Sequence, residues 1–249
     1  PKFQAHTTNP VEAQESSFVS PKFPPSASAD TGRVQQSAIA SPKLLNSPPV
    51  VALLPGSRRK EVDRLFPIML DAARFIAERV DVKFWVIKAP AVRRESLECI
   101  YKEWAAKVEV KLPLEIREDQ SAHVLARADC AIIKSGTSTL EATVLQVPFA
   151  MAYRLARPSW YLVRPFATTD TYCLTNLIAG ERVVPEFIQN EATGSNIGSY
   201  IVDLLKDNNR REKLRERLAA VSGMLSDSNA YREAAGWISK LLLEGLERQ

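Results

Sequence analysis

The sequence predicts an α/β fold: a Rossmann-like parallel sheet with helices on both faces, preceded by a disordered arm. Three observations predict it. Short apolar runs recur at 50–54, 82–87, 130–133 and 149–153, with the length and continuity of strands buried on both faces. Stretches with apolar residues at helical spacing separate them. Two of the runs end in small-residue loops, Pro55-Gly56-Ser57-Arg58 and Ser135-Gly136-Thr137, each of which hands a strand over to a helix.

Residues 1–49 hold 8 of the 16 prolines and eight serines, with few large apolar residues. Such a segment cannot bury enough surface to offset its ordering entropy. Pro-Lys recurs at 1–2, 21–22 and 42–43, so a low-complexity linker or insertion is expected here. The composition changes at Val50, and one domain is expected over 50–249. Val51-Ala52-Leu53-Leu54 reads as a buried strand. Val62, Leu65, Phe66, Met69, Leu70, Ala73, Ile76 and Ala77 then mark an amphipathic helix. A second strand follows at 82–87, a helix over 91–106, a strand within 108–116, and a short helix around 119–127. The run 130–133 is again a strand, 138–146 a helix and 149–153 a strand, and the remainder reads as mainly helical. In a parallel sheet, ligands bind outside the carboxyl ends of the strands. Both small-residue loops belong to that edge, which points to a phosphate-bearing ligand.

The chain has 249 residues, 45% of them hydrophobic, and a net charge of +4; its mean hydropathy is -0.16. That suffices for one sizeable core. Lys and Arg alternate with Asp and Glu along most of the chain, and no nucleic-acid signature is present, so no nucleic-acid partner is expected. No apolar run reaches the roughly 18–20 residues that span a bilayer. Cys99, Cys130 and Cys173, with only His6 and His123, give neither a disulfide framework nor a zinc site; a reducing cytoplasm is the expected compartment. A chain that starts at Pro1 rather than Met is expected to be a fragment or a processed product.

Three stretches carry a family resemblance. They are Leu53-Leu54-Pro55-Gly56-Ser57-Arg58 with Arg59-Lys60-Glu61-Val62, then Ser135-Gly136-Thr137-Ser138-Thr139-Leu140-Glu141-Ala142, and Asn176-Leu177-Ile178-Ala179-Gly180 with Arg182-Val183-Val184-Pro185-Glu186. In order and spacing they resemble the carboxyl-terminal half of the lipid-A-disaccharide synthases. The resemblance implies one half of a GT-B glycosyltransferase, the half that holds the UDP-sugar. It implies an inverting hexosyl transfer in lipid A biosynthesis, from a UDP-2,3-diacylglucosamine donor to 2,3-diacylglucosamine 1-phosphate (lipid X). Its partners would be those two lipids and a missing amino-terminal GT-B domain, in cis or in trans, which would carry the general base. The inner face of the bacterial inner membrane would be the peripheral location. A homo-oligomer is compatible with the pattern, and no cofactor or metal is expected. Two other readings stay open: a catalytically incomplete nucleotide-binding remnant, and another GT-B UDP-sugar transferase or epimerase.

The resemblance places the donor site on Gly56, Ser57, Arg58, Ser135, Gly136, Thr137, Glu141 and Asn176, with Arg154 as a further candidate. Gly56 and Ser57 would admit phosphates close to the backbone, and the Arg58 guanidinium suits bidentate phosphate contact. The plainer reading is a strand–helix turn with a solvated basic first turn. Cations there cost about 0.3–1 kcal/mol unless an anion is present. Ser135-Gly136-Thr137 would meet phosphate at a helix start, and Glu141 would accept from both ribose hydroxyls. The plainer reading makes Thr137 an N-cap and Glu141 a surface acid. Asn176 is expected on a loop facing the cleft, either contacting the donor or capping a turn. The family has proline just before it, where this chain has Thr175, so a less pre-organised loop is expected. Lys134 stands where the family has a small residue, at the rim or crowding the pocket. The aromatic stretch 160–166, between Arg157 and Arg164, reads as a core helix or as a surface for acyl chains. His123 reads as a helix-surface residue. Leu204, Leu205, Leu214, Leu218, Trp237, Ile238, Leu241 and Leu242 read as packing stripes.

Overall fold

The structure is a computed structural model and describes residues 47–118, 121–156, 158–160 and 171–226. All of these fall within a single compact unit. Six parallel strands form its sheet: β1 (Val50–Leu54), β2 (Lys83–Ile87), β3 (Leu114–Arg117), β4 (Cys130–Lys134), β5 (Phe149–Tyr153) and β6 (Glu186–Ile188). Their spatial order is β3-β2-β1-β4-β5-β6. The chain winds outward from β1 to one edge, returns to β4, and winds to the other edge. The order therefore reverses between β1 and β4.

Among the described residues the sheet is connected and covered by α1 (Arg59–Ala77), α2 (Arg94–Val108), α3 (Ser121–Leu125), α4 (Ser138–Val144), α5 (Leu174–Ala179), α6 (Gly194–Lys206) and α7 (Asn208–Ser226). α1 packs against α2 and α6, whereas α4 packs against α3, α5 and α7. β1 lies between these layers, and all five of its residues are buried. Each Leu or Val so buried contributes about 1.5–3 kcal/mol. This explains why β1 reads as an unbroken apolar run rather than an alternation. Asp129 fixes the register at its amino end: the Val50 N–H donates to Asp129 Oδ2 at 2.6 Å, and the Asp129 N–H donates to the Val50 carbonyl at 2.8 Å.

The close approach of α6 to α1 depends on two small residues. A Cβ on Gly198 would stand 2.7 Å from the Phe75 ring, and one on Gly194 would stand 2.8 Å from the Asp71 backbone carbon. Asp71 also accepts from Trp104 Nε1 at 2.8 Å, which ties α2 to α1. At the far end of α2, Glu109 adopts a left-handed conformation and stops the helix.

The fold class is the one expected, with small shifts in its elements. The helix expected over 91–106 runs Arg94–Val108, and the strand expected within 108–116 is Leu114–Arg117. One strand was missing from the expectation. β6 has three residues and begins directly after Pro185, too short a run to give a periodicity. Leu204, Leu214 and Leu218 are buried as packing stripes require. The expectations for 1–46, for the stretch 161–166 with Arg157, and for Trp237, Ile238, Leu241 and Leu242 lie outside the described residues. Among the described residues no helix is long and apolar enough to cross a membrane.

Candidate functional site

At the reversal between β1 and β4 the two strands end side by side, with Leu54 paired to Ile133. The chain then leaves them for opposite layers, into α1 and into α4. A cleft between two departing connections is the geometric consequence. It is a cavity of about 920 Å³, within the usual size range of small-molecule sites.

Six of the nine expected site residues line this cavity: Gly56, Ser57, Ser135, Gly136, Thr137 and Glu141. Pro55 ends β1 and Gly56 makes the turn at a φ of +118°, a value that only glycine reaches without strain. On the other loop, the Ser135 hydroxyl donates to the Tyr172 carbonyl at 2.7 Å, and the Thr139 hydroxyl donates to the Gly136 carbonyl at 2.7 Å. Thr137 makes no side-chain cap hydrogen bond, so the plain N-cap reading is not realised. Its exposed hydroxyl stands at the cavity wall.

Glu141 lies one turn into α4, and its Oε2 accepts from the Ser121 hydroxyl at 2.7 Å. That bond fixes the carboxylate on the cavity side of the helix. Ser121 and Glu118 also line the cavity, as does Lys88 just beyond β2. None of the three was expected as a site residue. The signal for Lys88 was available: it follows a third apolar strand, whose end must share the same sheet edge. Lys88 Nζ donates to the Val92 carbonyl at 3.2 Å and lies 3.8 Å from Glu118 Oε2.

Three expected residues stand elsewhere. Arg58 is 82% exposed at its side chain, does not line the cavity, and lies 3.5 Å from Glu61 Oε1. Arg154 is exposed past the end of β5 and is also absent from the cavity wall. Asn176 requires a correction. It sits on α5 rather than on a cleft-facing loop, and it is 1% exposed. Its amide donates to the Val184 carbonyl at 2.9 Å and to Glu186 Oε1 at 2.8 Å, and its oxygen accepts from the Val183 and Val184 N–H groups. Both donors and both acceptor positions are thus taken by the chain itself. Glu186 in turn accepts from the Tyr172 and Cys173 N–H groups at the start of α5. Asn176 and Glu186 position the segment that carries Tyr172, which holds Ser135.

Thr175 also departs from expectation. It is fully buried, and its hydroxyl lies 2.7 Å from that of Thr143 on α4. A helix-to-helix hydrogen bond therefore holds this position without the fixed φ of a proline.

Lys134, at the end of β4, is 19% exposed and forms an ion pair with Glu61 Oε1 at 3.1 Å. It lines the cavity. Tyr153, whose ring lies 5.7 Å from Lys134 Nζ, has its hydroxyl pushed above the usual tyrosine range, first by burial and then by the Glu61 charge. Among the described residues no three His, Cys, Asp or Glu side chains group as a metal site would require.

The sequence model of the lipid-A-disaccharide synthetase family matches residues 30–235 of the chain. The lipid-A-disaccharide synthase of Nitrosococcus oceani is 33% identical over 196 residues, 78% of this chain and 49% of that protein. That of Chromohalobacter salexigens is 34% identical over 212 residues, 85% of this chain and 54% of that protein. The chain spans about half the length of the curated relatives it matches. A solved trehalose-6-phosphate synthase superposes with a TM-score of 0.51 at 11% identity, over 83% of this chain and 44% of that one. This last likeness is one of fold.

Proposed function

This chain belongs to the lipid-A-disaccharide synthetase family, and from that premise we propose that it holds the UDP-sugar donor of a glycosyl transfer in lipid A biosynthesis. The donor is UDP-2,3-diacylglucosamine, and the acceptor is lipid X. The products are the lipid A disaccharide 1-phosphate and UDP, with inversion at the anomeric carbon.

The observation that carries this reading is the Glu141 carboxylate, held by Ser121 at 2.7 Å inside the cavity between the two strand-end loops. A carboxylate in that position accepts hydrogen bonds from a vicinal diol such as a ribose. The loops of Gly56 and Gly136 form the cavity wall that a diphosphate would meet. Transfer from a nucleoside diphosphate also needs positive charge or oriented N–H groups against the charge that grows on the leaving diphosphate. Thr137 supplies a hydroxyl at the wall. Arg58, exposed and outside the cavity wall, stays beside Glu61.

The second requirement is a base for the acceptor hydroxyl. We assign it to a facing Rossmann-like half, in cis or in trans, and to no described residue. Little or no turnover by the isolated chain is the corresponding expectation. The same facing half would bring the acceptor, at the cytoplasmic face of the inner membrane.

Calorimetric titration of UDP into the chain and into Glu141→Ala tests the reading. Saturable binding, weakened about tenfold or more by the substitution, supports it. Equal binding by both chains moves the nucleotide elsewhere. A second reading, a nucleotide-binding remnant without catalysis, draws on the half-length match to the relatives. It is separated from the first by turnover of both lipids once the facing half of a relative is added in trans.

A further inference from the structure

Lys134 closes β4 at the point where the two loops of the cavity come together. A Cβ on Gly56 would stand 3.6 Å from Lys134 Cδ and 3.0 Å from Glu61 Oε2; one on Gly136 would stand 3.9 Å from Lys134 Nζ. The lysine side chain thus passes Gly56 with its stem and reaches Gly136 with its ammonium. Its ion pair with Glu61 Oε1, at 3.1 Å, involves two side chains only 19% and 20% exposed. Arg58 reaches the same Glu61 oxygen at 3.5 Å from outside. The other cation of the cavity wall, Lys88, is held by a backbone carbonyl as well as by Glu118. Lys134 meets the Glu61 carboxylate and, at 5.7 Å, the face of the Tyr153 ring.

A partly buried ammonium at a cavity wall favours an anionic partner, because it has given up part of its water. A diphosphate is such a partner, with more charge than a carboxylate and more acceptor oxygens. We propose that Lys134 is the cation that meets the donor's diphosphate, and that Glu61 and the diphosphate compete for its ammonium. Binding is then an ion exchange: the ammonium swings from Glu61 to the phosphate oxygens, and Arg58 remains to neutralise the released carboxylate. The assignment rests on the donor-site reading above and adds the residue that recognises the charge.

The test is calorimetry with two probes, UDP and uridine, on the 249-residue chain, Lys134→Met and Glu61→Gln. We expect Lys134→Met to weaken UDP about tenfold or more and to flatten its salt dependence, with uridine affinity unchanged. Glu61→Gln removes the competitor and is expected to tighten UDP severalfold. Opposite signs for the two variants are what a merely structural ion pair cannot produce. The proposal is overturned if Lys134→Met leaves UDP binding unchanged, weakens UDP and uridine equally, or tightens UDP because a crowding side chain has gone. It is equally overturned if Glu61→Gln weakens UDP. Should Lys134→Met fail to fold, Glu61→Gln decides by its sign alone. A parent chain that binds uridine but not UDP overturns the lysine assignment and leaves the nucleoside site standing. A parent chain that binds neither overturns both.

Discussion

The side-chain amide of Asn176 donates to Glu186 Oε1 at 2.8 Å, and both residues are buried. This pair belongs to the scaffold rather than to the cavity, so its loss is expected to register in stability. Asn176→Ala takes the acceptor from the Val184 N–H group, whereas the Val183 N–H keeps the Glu181 carbonyl and Glu186 Oε1 keeps the Cys173 N–H. A cost of about 1–3 kcal/mol follows from leaving such a buried group unsatisfied. Urea denaturation should show a lower midpoint with an unchanged slope.

On the proposed donor site, Ser121 positions the Glu141 carboxylate. Ser121→Ala removes the 2.7 Å bond that fixes the carboxylate but leaves the carboxylate in place. UDP affinity is expected to fall about two- to fivefold, less than for Glu141→Ala. Calorimetry of the two single variants checks the order. The reverse order would show that the serine itself touches the ligand.

Two glycines separate a spatial cost from a conformational one. Gly198→Ala places a methyl 2.7 Å from the Phe75 ring and is expected to cost about 1–3 kcal/mol by overpacking. Gly180, at a φ of +68° with nothing within 4 Å of a Cβ, objects only to conformation. Asn is at home in that region, so Gly180→Asn is expected to cost under about 1 kcal/mol. Thermal denaturation of both variants tests the contrast.

Burial pushes the Tyr200 hydroxyl up to about 12, against a partial offset from Arg210. In the unfolded chain a tyrosine ionises near 10. Between these values the folded state holds a proton that the unfolded state has lost. Stability contributed at this site is therefore complete below about pH 10 and falls as the pH rises towards 12. Denaturation midpoints measured on either side of pH 10 should show the loss, and Tyr200→Phe should show less of it.

Much of the layout was legible because it depends on patterns with a physical period. The runs at 50–54, 130–133 and 149–153 are apolar throughout because the strands are covered on both sides, and a strand's end is where a following glycine turn must be. Gly56, Ser57, Ser135, Gly136, Thr137 and Glu141 could be assigned to one edge for that reason. Asn176 could not be read correctly, since a polar side chain in a motif looks the same whether it faces a ligand or a backbone. Its partners Val183, Val184 and Glu186 come from seven to ten residues away, and only folding brings them to it. Lys88, directly after a strand, could have been read, whereas Glu118 and Ser121 escaped for a related reason. They reach the cavity from the β2–β3 side, which acquires its place only when the strand order is known. The Lys134–Glu61 pair joins the end of β4 to the first turn of α1 in the same way.

The central place of β1 also constrains how the molecule is made. Of the described strands β1 comes first in sequence, yet it is enclosed between β2 and β4, and Val50 is tied to a residue 79 positions later. At ordinary rates of synthesis that partner follows about 4–16 s afterwards. During this interval one edge of Val51-Ala52-Leu53-Leu54 is open to any other strand it encounters, and the nascent chain depends on α1 and β2 to shield the rest. Mutations that weaken β4 should therefore harm the yield of native protein during translation more than they harm the protein once folded.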